Sequence, residues 1–212
     1  PLGFSPVICL LAVIHCFLVE GEKKLGSISV KWVWLPLLSL ALPWLVQKYH
    51  SEIFEVQSLS MAPSLHKGEL MVITKLSALN TRTADNLSRG QRVLFLDPKS
   101  GRYYIKRIIG LSGDKVEYRA GRLLINQQPI KQALLSRNRR SDIYQEQLGA
   151  ISYPIIRAHE SQSPSVSLVV PDNTFFVLGD SRDNSRDSRH FGVIDKHTVK
   201  GVLSSATQAS VF

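Results

Sequence analysis

Three polar stretches of this 212-residue chain hold side chains that could do chemistry together. The first is Ser58-Leu59-Ser60-Met61-Ala62-Pro63-Ser64. A serine hydroxyl is a weak nucleophile until a base removes its proton, so alone this stretch reads as a Ser-rich turn. The second is Tyr104-Ile105-Lys106-Arg107-Ile108-Ile109-Gly110, where Lys106 stands inside an apolar strand. Strand alternation puts Lys106 on the face of Tyr104 and Ile108, with Arg107 opposite. Burial of that face would disfavour the ammonium and leave a neutral amine, a competent general base. The alternative turns Lys106 to solvent and buries Arg107 beside Ile105, which demands a carboxylate partner for the guanidinium. The third stretch, Gly179 to Gly192, follows the apolar run Thr174–Leu178. Its Asp180, Asp187, Arg182 and Arg189 can form bidentate, charge-assisted pairs. A loop fixed in that way could aim a hydroxyl, such as that of Ser185, at a lysine amine. The same stretch also reads as solvated surface.

The elements that must position these groups are short. Glu69–Leu76, Arg92–Leu96, Tyr103–Ile109, Lys115–Tyr118 and Arg122–Ile125 read as strands. So do Val166–Val170, Thr174–Leu178 and His197–Leu203. Ser112 to Asp114 and Ala120-Gly121 read as turns. No helical period is sustained after residue 50, so a mostly-β domain is expected, a sandwich or a partly closed barrel. Residues 130–165 are polar, rich in Arg and Ser and weakly patterned, which suggests a long insertion or flexible excursion.

Residues 1–50 read as a membrane anchor, and 51–212 as the β-rich domain. Pro1 to Val19 has no Asp, Glu, Lys or Arg, and Trp32 to Val46 is uncharged between Lys31 and Lys48. Spanning helices are expected at about 2–19 and 31–48. Lys23, Lys24 and Lys31 in the intervening loop place it in the cytoplasm by the positive-inside rule. The domain after residue 50 is then extracytoplasmic. A cleavable leader, or a single span, fits the first stretch as well.

The chain carries 26 Lys and Arg against 17 Asp and Glu, a formal charge of +9. That balance suits anionic lipid or nucleic acid, and also a plain basic surface. Arg137-Asn138-Arg139-Arg140 has no interleaved aromatic, so it reads as a solvated loop and no nucleic-acid partner is expected. Cys9 and Cys16 are the two cysteines of the sequence, which excludes a disulfide scaffold or cysteine-rich metal site after residue 16. No metal and no cofactor are expected.

Taken together, the stretches resemble the motifs of type I signal peptidases, the membrane-bound Ser/Lys proteases of bacteria. Ser58 to Leu65 matches the pattern Ser-x-Ser-Met-x-Pro-(Ser/Thr)-Leu. Ile105 to Asp114 matches the apolar-Lys-Arg-x-x-Gly-x-x-Gly-Asp pattern, and Gly179 to Gly192 the Gly-Asp-x-x-x-Asn-Ser-x-Asp-Ser-Arg-x-x-Gly pattern. The resemblance implies a β-fold like that of signal peptidases and LexA, behind one or two transmembrane helices. It implies Ser60 as nucleophile, Lys106 as base, Ser58 as an oxyanion donor and Ser185 as the residue orienting Lys106. Asp180, Asp187, Arg189 and Arg107 would support the site, and Val56, Met61 and Ile105 would line pockets for small side chains. The implied partners are preproteins with Ala-x-Ala signal peptides, membrane lipid and the export machinery. The implied location is the cytoplasmic membrane, with the catalytic domain outside. Leu59, Ser64, Ser112 and Ser181 depart from the commoner Gly, Thr, Pro and Asn without removing a reactive group. Three rivals are a LexA-type self-cleaving domain, a pilin or conjugation maturation peptidase, and a silent binding domain.

Overall fold

A computed structural model describes residues 51–76, 86–160 and 163–203. The two membrane stretches expected within 1–50 lie outside the described residues. Among those residues no helix is long and apolar enough to cross a membrane.

The domain is mostly β. The chain opens with β1 (Ser51–Glu55), β2 (Leu70–Lys75), β3 (Arg92–Asp97) and the long β4 (Arg102–Gly110). Then come β5 (Lys115–Arg119), β6 (Arg122–Ile125) and β7 (Gln128–Pro129), followed by β8 (Lys131–Arg137), β9 (Ser141–Leu148) and β10 (Ile151–Ala158). The chain continues through β11 (Val166–Val169), β12 (Thr174–Leu178), the one-turn α1 (Ser188–Phe191), β13 (Ile194–Asp195) and β14 (Val199–Leu203). The largest sheet has the order β1-β2-β14-β3-β4-β12-β13. Smaller sheets have the orders β11-β5-β6-β7 and β10-β9-β8.

Local chemistry explains several of these elements. In β2, Met71 and Ile73 point inward while Leu70 and Val72 face out, the period-two pattern of a half-covered strand. Ala120 and Gly121 both take positive φ, 47° and 77°, in the two-residue link between β5 and β6. Positive φ at both positions matches the twist of the flanking strands. The strand expected at 197–203 begins at Val199, because Asp195 caps a 3-10 turn over Lys196–Thr198 by accepting from the His197 amide at 2.9 Å.

The long strand β4 organises the site. Its first half, Arg102 to Arg107, pairs with β3, and β12 pairs with Arg107 to Gly110. Residues 102–106 therefore have a neighbour on one side and an open edge on the other. Ile108 enters one apolar cluster with Val93, Phe95 and Val177, and Ile109 enters another with Tyr118, Ile155 and Phe176. Both faces of the strand are covered there, so Lys106 and Arg107 are both buried, whichever face each takes. The expected alternation is present, but it does not choose one of them for the interior.

The expected excursion over 130–165 is corrected: its central part forms β8, β9 and β10, an antiparallel meander. Its strands were hidden for two reasons. β8 is an edge strand that is exposed along most of its length. In β9 and β10 the inward positions include the charged Glu146 beside Leu148, Tyr153 and Ile155, which breaks the apolar alternation.

Candidate active site

Ser60 sits in a compact turn between β1 and β2. The Ala62 amide donates to the Leu59 carbonyl at 3.0 Å, and the Leu65 amide to the Met61 carbonyl at 3.0 Å. Met61 and Leu65 anchor the turn in an apolar cluster with Ile73 and Leu94. The Ser60 hydroxyl is buried, and Lys106 Nζ lies 2.6 Å from it. Lys106 is 2% exposed. Desolvation pulls its pKa from the ordinary value near 10.5 down to about 8, against the opposing charges of Asp187 and Asp180.

The carboxylates near this pair are themselves neutralised. Asp180 receives Arg107 in a bidentate pair, with Nε 2.8 Å from Oδ1. Arg107 also donates to the Gly90 carbonyl at 2.7 Å and stacks 3.9 Å from the centre of the Tyr153 ring. Asp187 receives Arg189 through Nε at 2.8 Å and Nη2 at 2.7 Å, and caps α1. Burial would raise the Asp187 carboxyl; the Arg189 guanidinium and the Gly179 amide outweigh it and hold the acid ionised. Of the pairings expected inside the third stretch, Asp187–Arg189 forms. Asp180 instead takes Arg107, and Arg182 takes Glu146.

Glu146 was missed in the sequence. It is fully buried on β9, accepts Arg182 Nη1 at 3.0 Å, Tyr153 Oη at 2.6 Å and Gln132 Nε2 at 2.8 Å. Arg182 passes the restraint on by donating Nε to the Gly179 carbonyl at 3.2 Å. The Ile156 amide donates to the Asp180 carbonyl, and the Arg182 amide to the Ile156 carbonyl, so β10 is stitched to this loop. Nothing around Glu146 marked it; a lone Arg182 needing a buried acid was the nearest signal. Asp114, the last residue of the second motif, locks its own turn by accepting the Leu111 amide at 2.8 Å, Arg89 Nε at 2.8 Å and Asn126 Nδ2 at 3.0 Å.

The stretches meet at Gly179. A Cβ there would lie 2.2 Å from Ser185 Oγ and 2.5 Å from the Ser60 carbonyl oxygen. That oxygen also accepts the Ser181 amide at 3.1 Å. Ser185 is buried, close enough to Asp187 to help keep it ionised, yet its hydroxyl meets no hydrogen-bond geometry among the described residues. It makes no bond to Lys106. Ser58 Oγ accepts the Ser60 amide at 3.2 Å, so these two groups face each other rather than a common point.

Ser60 and Lys106 open into a cleft of about 580 Å³. Val56, Ser58, Met61 and Ile105 line it. A second cavity of similar size, beside Arg89 and Leu111, holds neither reactive group.

A hydroxyl against a desolvated amine beside an open cleft is an arrangement that a serine hydrolase with a lysine base could use. Comparison with known proteins places the chain more closely. The family described as "Signal peptidase, peptidase S26" matches residues 29–207. A signal peptidase I of Bacillus licheniformis is 31% identical over 86% of this chain and 89% of its own. A signal peptidase I P of Bacillus subtilis subsp. natto is 28% identical over 86% of this chain and 91% of its own. A solved signal peptidase I of Enterococcus faecalis shares 31% identity over 56% of this chain and 97% of that one, with a TM-score of 0.39. The chain belongs to the signal peptidase family, and it is a peptidase.

The Glu146–Arg182 pair is predicted to support the whole site. Glu146→Ala leaves a buried guanidinium without its acid, a loss of about 3–5 kcal/mol. Urea denaturation should show that drop, while Glu55→Ala on the exposed surface should shift stability by less than about 0.5 kcal/mol.

Proposed function

We propose that this protein is a membrane-bound endopeptidase that cleaves signal peptides from exported preproteins, with Ser60 as nucleophile and Lys106 as base. The observation that carries this reading is the 2.6 Å approach of Lys106 Nζ to Ser60 Oγ, both buried where they border the cleft. A neutral amine accepts the hydroxyl proton as Ser60 Oγ attacks the scissile carbonyl. The resulting ammonium returns that proton to the departing amine, and the mature protein leaves. Lys106 next takes a proton from water, the hydroxide attacks the ester, and the signal peptide is released as Ser60 regains its proton.

The oxyanion is met by the Ser60 amide and the Ser58 hydroxyl. In the free enzyme those groups bond to each other; rotation about the Cα–Cβ bond of Ser58 turns its O–H toward the cleft and frees the amide. Ser185, with an unsatisfied buried hydroxyl, is assigned to orienting the amine. Asp180, Asp187, Arg107 and Arg189 hold the elements that carry these groups.

The substrate lies extended along the open edge of β4 over residues 102–106, adding a strand to the sheet. Val56, Met61 and Ile105 leave shallow apolar pockets, which fit the small residues of an Ala-x-Ala site. The stretches 1–19 and 32–46 tether the domain to the cytoplasmic membrane with the cleft on its extracytoplasmic side. There the protein works on chains delivered by the export machinery, next to lipid.

Ser60→Ala and Lys106→Met are expected to lower kcat/KM for a purified preprotein by on the order of 10⁴-fold or more, with the circular dichroism spectrum retained. Normal processing by either variant would sink the assignment. The pH profile tests the base separately. Lys106 works unprotonated, so kcat/KM should rise about tenfold per pH unit below about 8 and level off above it. For the oxyanion donor, Ser58→Ala should cut kcat by on the order of 10²–10³ with little change in KM.

A further inference from the structure

The cleft carries two cations that the catalytic assignment does not use. Arg102 opens β4, and Arg186 follows Ser185 in the loop after β12; both line the cleft and both are exposed. Neither makes an ion pair or hydrogen bond among the described residues, whereas Arg107, Arg182 and Arg189 are all paired with acids. Asp97, whose oxygens accept Ser100 Oγ at 2.7 Å and the Lys99 amide at 3.1 Å, attracts Arg186 electrostatically but forms no ion pair with it. Glu55 is the one acid lining this cleft among the described residues, and it too makes no ion pair there. With Lys106 neutral, the formal balance of the lining is one positive charge.

Arg102 stands four residues before Lys106 on the same strand, roughly 13 Å away at about 3.3 Å per residue. A peptide extended along that edge covers the same distance in about four residues. We infer that Arg102 and Arg186 form a subsite for an acidic side chain of the substrate, within about five residues of the bond that is cut. The inference rests on the proposed peptidase reading and adds a charge preference to it.

The test uses the full-length enzyme in detergent, and one preprotein carrying Asp, Ala or Lys in turn at each of the five positions on either side of the cleavage site. The readout is the ratio of kcat/KM between substrates in the same enzyme, which a general loss of activity leaves unmoved. At one position or more, wild type should favour Asp over Ala by about three- to tenfold, and Ala over Lys by a similar factor. The Asp preference should fall toward one at 1 M salt, disappear in the Arg102→Ala, Arg186→Ala double variant, and invert in Arg186→Glu. An Asp-to-Ala ratio near one at every position in wild type overturns the subsite, as does a preference that survives in the double variant. A ratio near one, with the variants impaired only on vesicles of anionic lipid, assigns these arginines to the membrane surface and also overturns it. Failure of wild type to cut the Ala substrates refutes the peptidase reading itself, a different outcome from either.

Discussion

The structure depends on keeping one amine dry. A lysine in water is protonated at neutral pH and cannot take a proton from serine. Removing Lys106 from solvent brings its pKa to about 8, within reach of the working pH. The same burial penalises every other charge in the neighbourhood. The acids closest to Lys106, Asp180 and Asp187, oppose the shift, and free carboxylates there would restore the ammonium. Each is instead committed to its own guanidinium. The arginines thus offset the acids around the lysine without bonding to it.

A buried ion pair is weak evidence of stability in itself, but breaking one is expensive because a lone charge remains. Three such pairs tie one loop to itself and to its neighbours. Gly179 lets the loop close onto the Ser60 turn, since any side chain there would collide with Ser185 and the Ser60 carbonyl. The β8–β10 meander takes part through Glu146 and Ile156, although it contributes nothing to the cleft lining.

The three polar stretches that meet at Gly179 were legible in the chain as motifs. Taken singly, the Ser-rich turn and the loop around Asp187 read equally as turn and solvated surface; the family resemblance singled out Ser60 and Lys106, and the fold brings these two within 2.6 Å of each other. β2, β5 and β6 followed from period-two alternation, while β3 and β4 read as strands from their apolar runs. The meander was not legible, because its inward face includes an acid and its edge strand has no inward face to speak of. Nor was the partner of Arg182, which lies 36 positions away on another sheet.

By itself, the sequence determined which groups could react and in what order they occur, because hydroxyl, amine and carboxylate chemistry belongs to residue types. It also determined the sheet-forming character of the domain, since alternation is a local property. The tertiary structure decided which of those groups are dry, paired or open to a substrate. Desolvation and ion pairing depend on what is packed within a few ångströms, and that is set by strands brought together from distant parts of the chain. Lys106 and Arg107 show the difference: adjacent, both basic and both buried, Arg107 is paired with an acid, and Lys106 faces a serine.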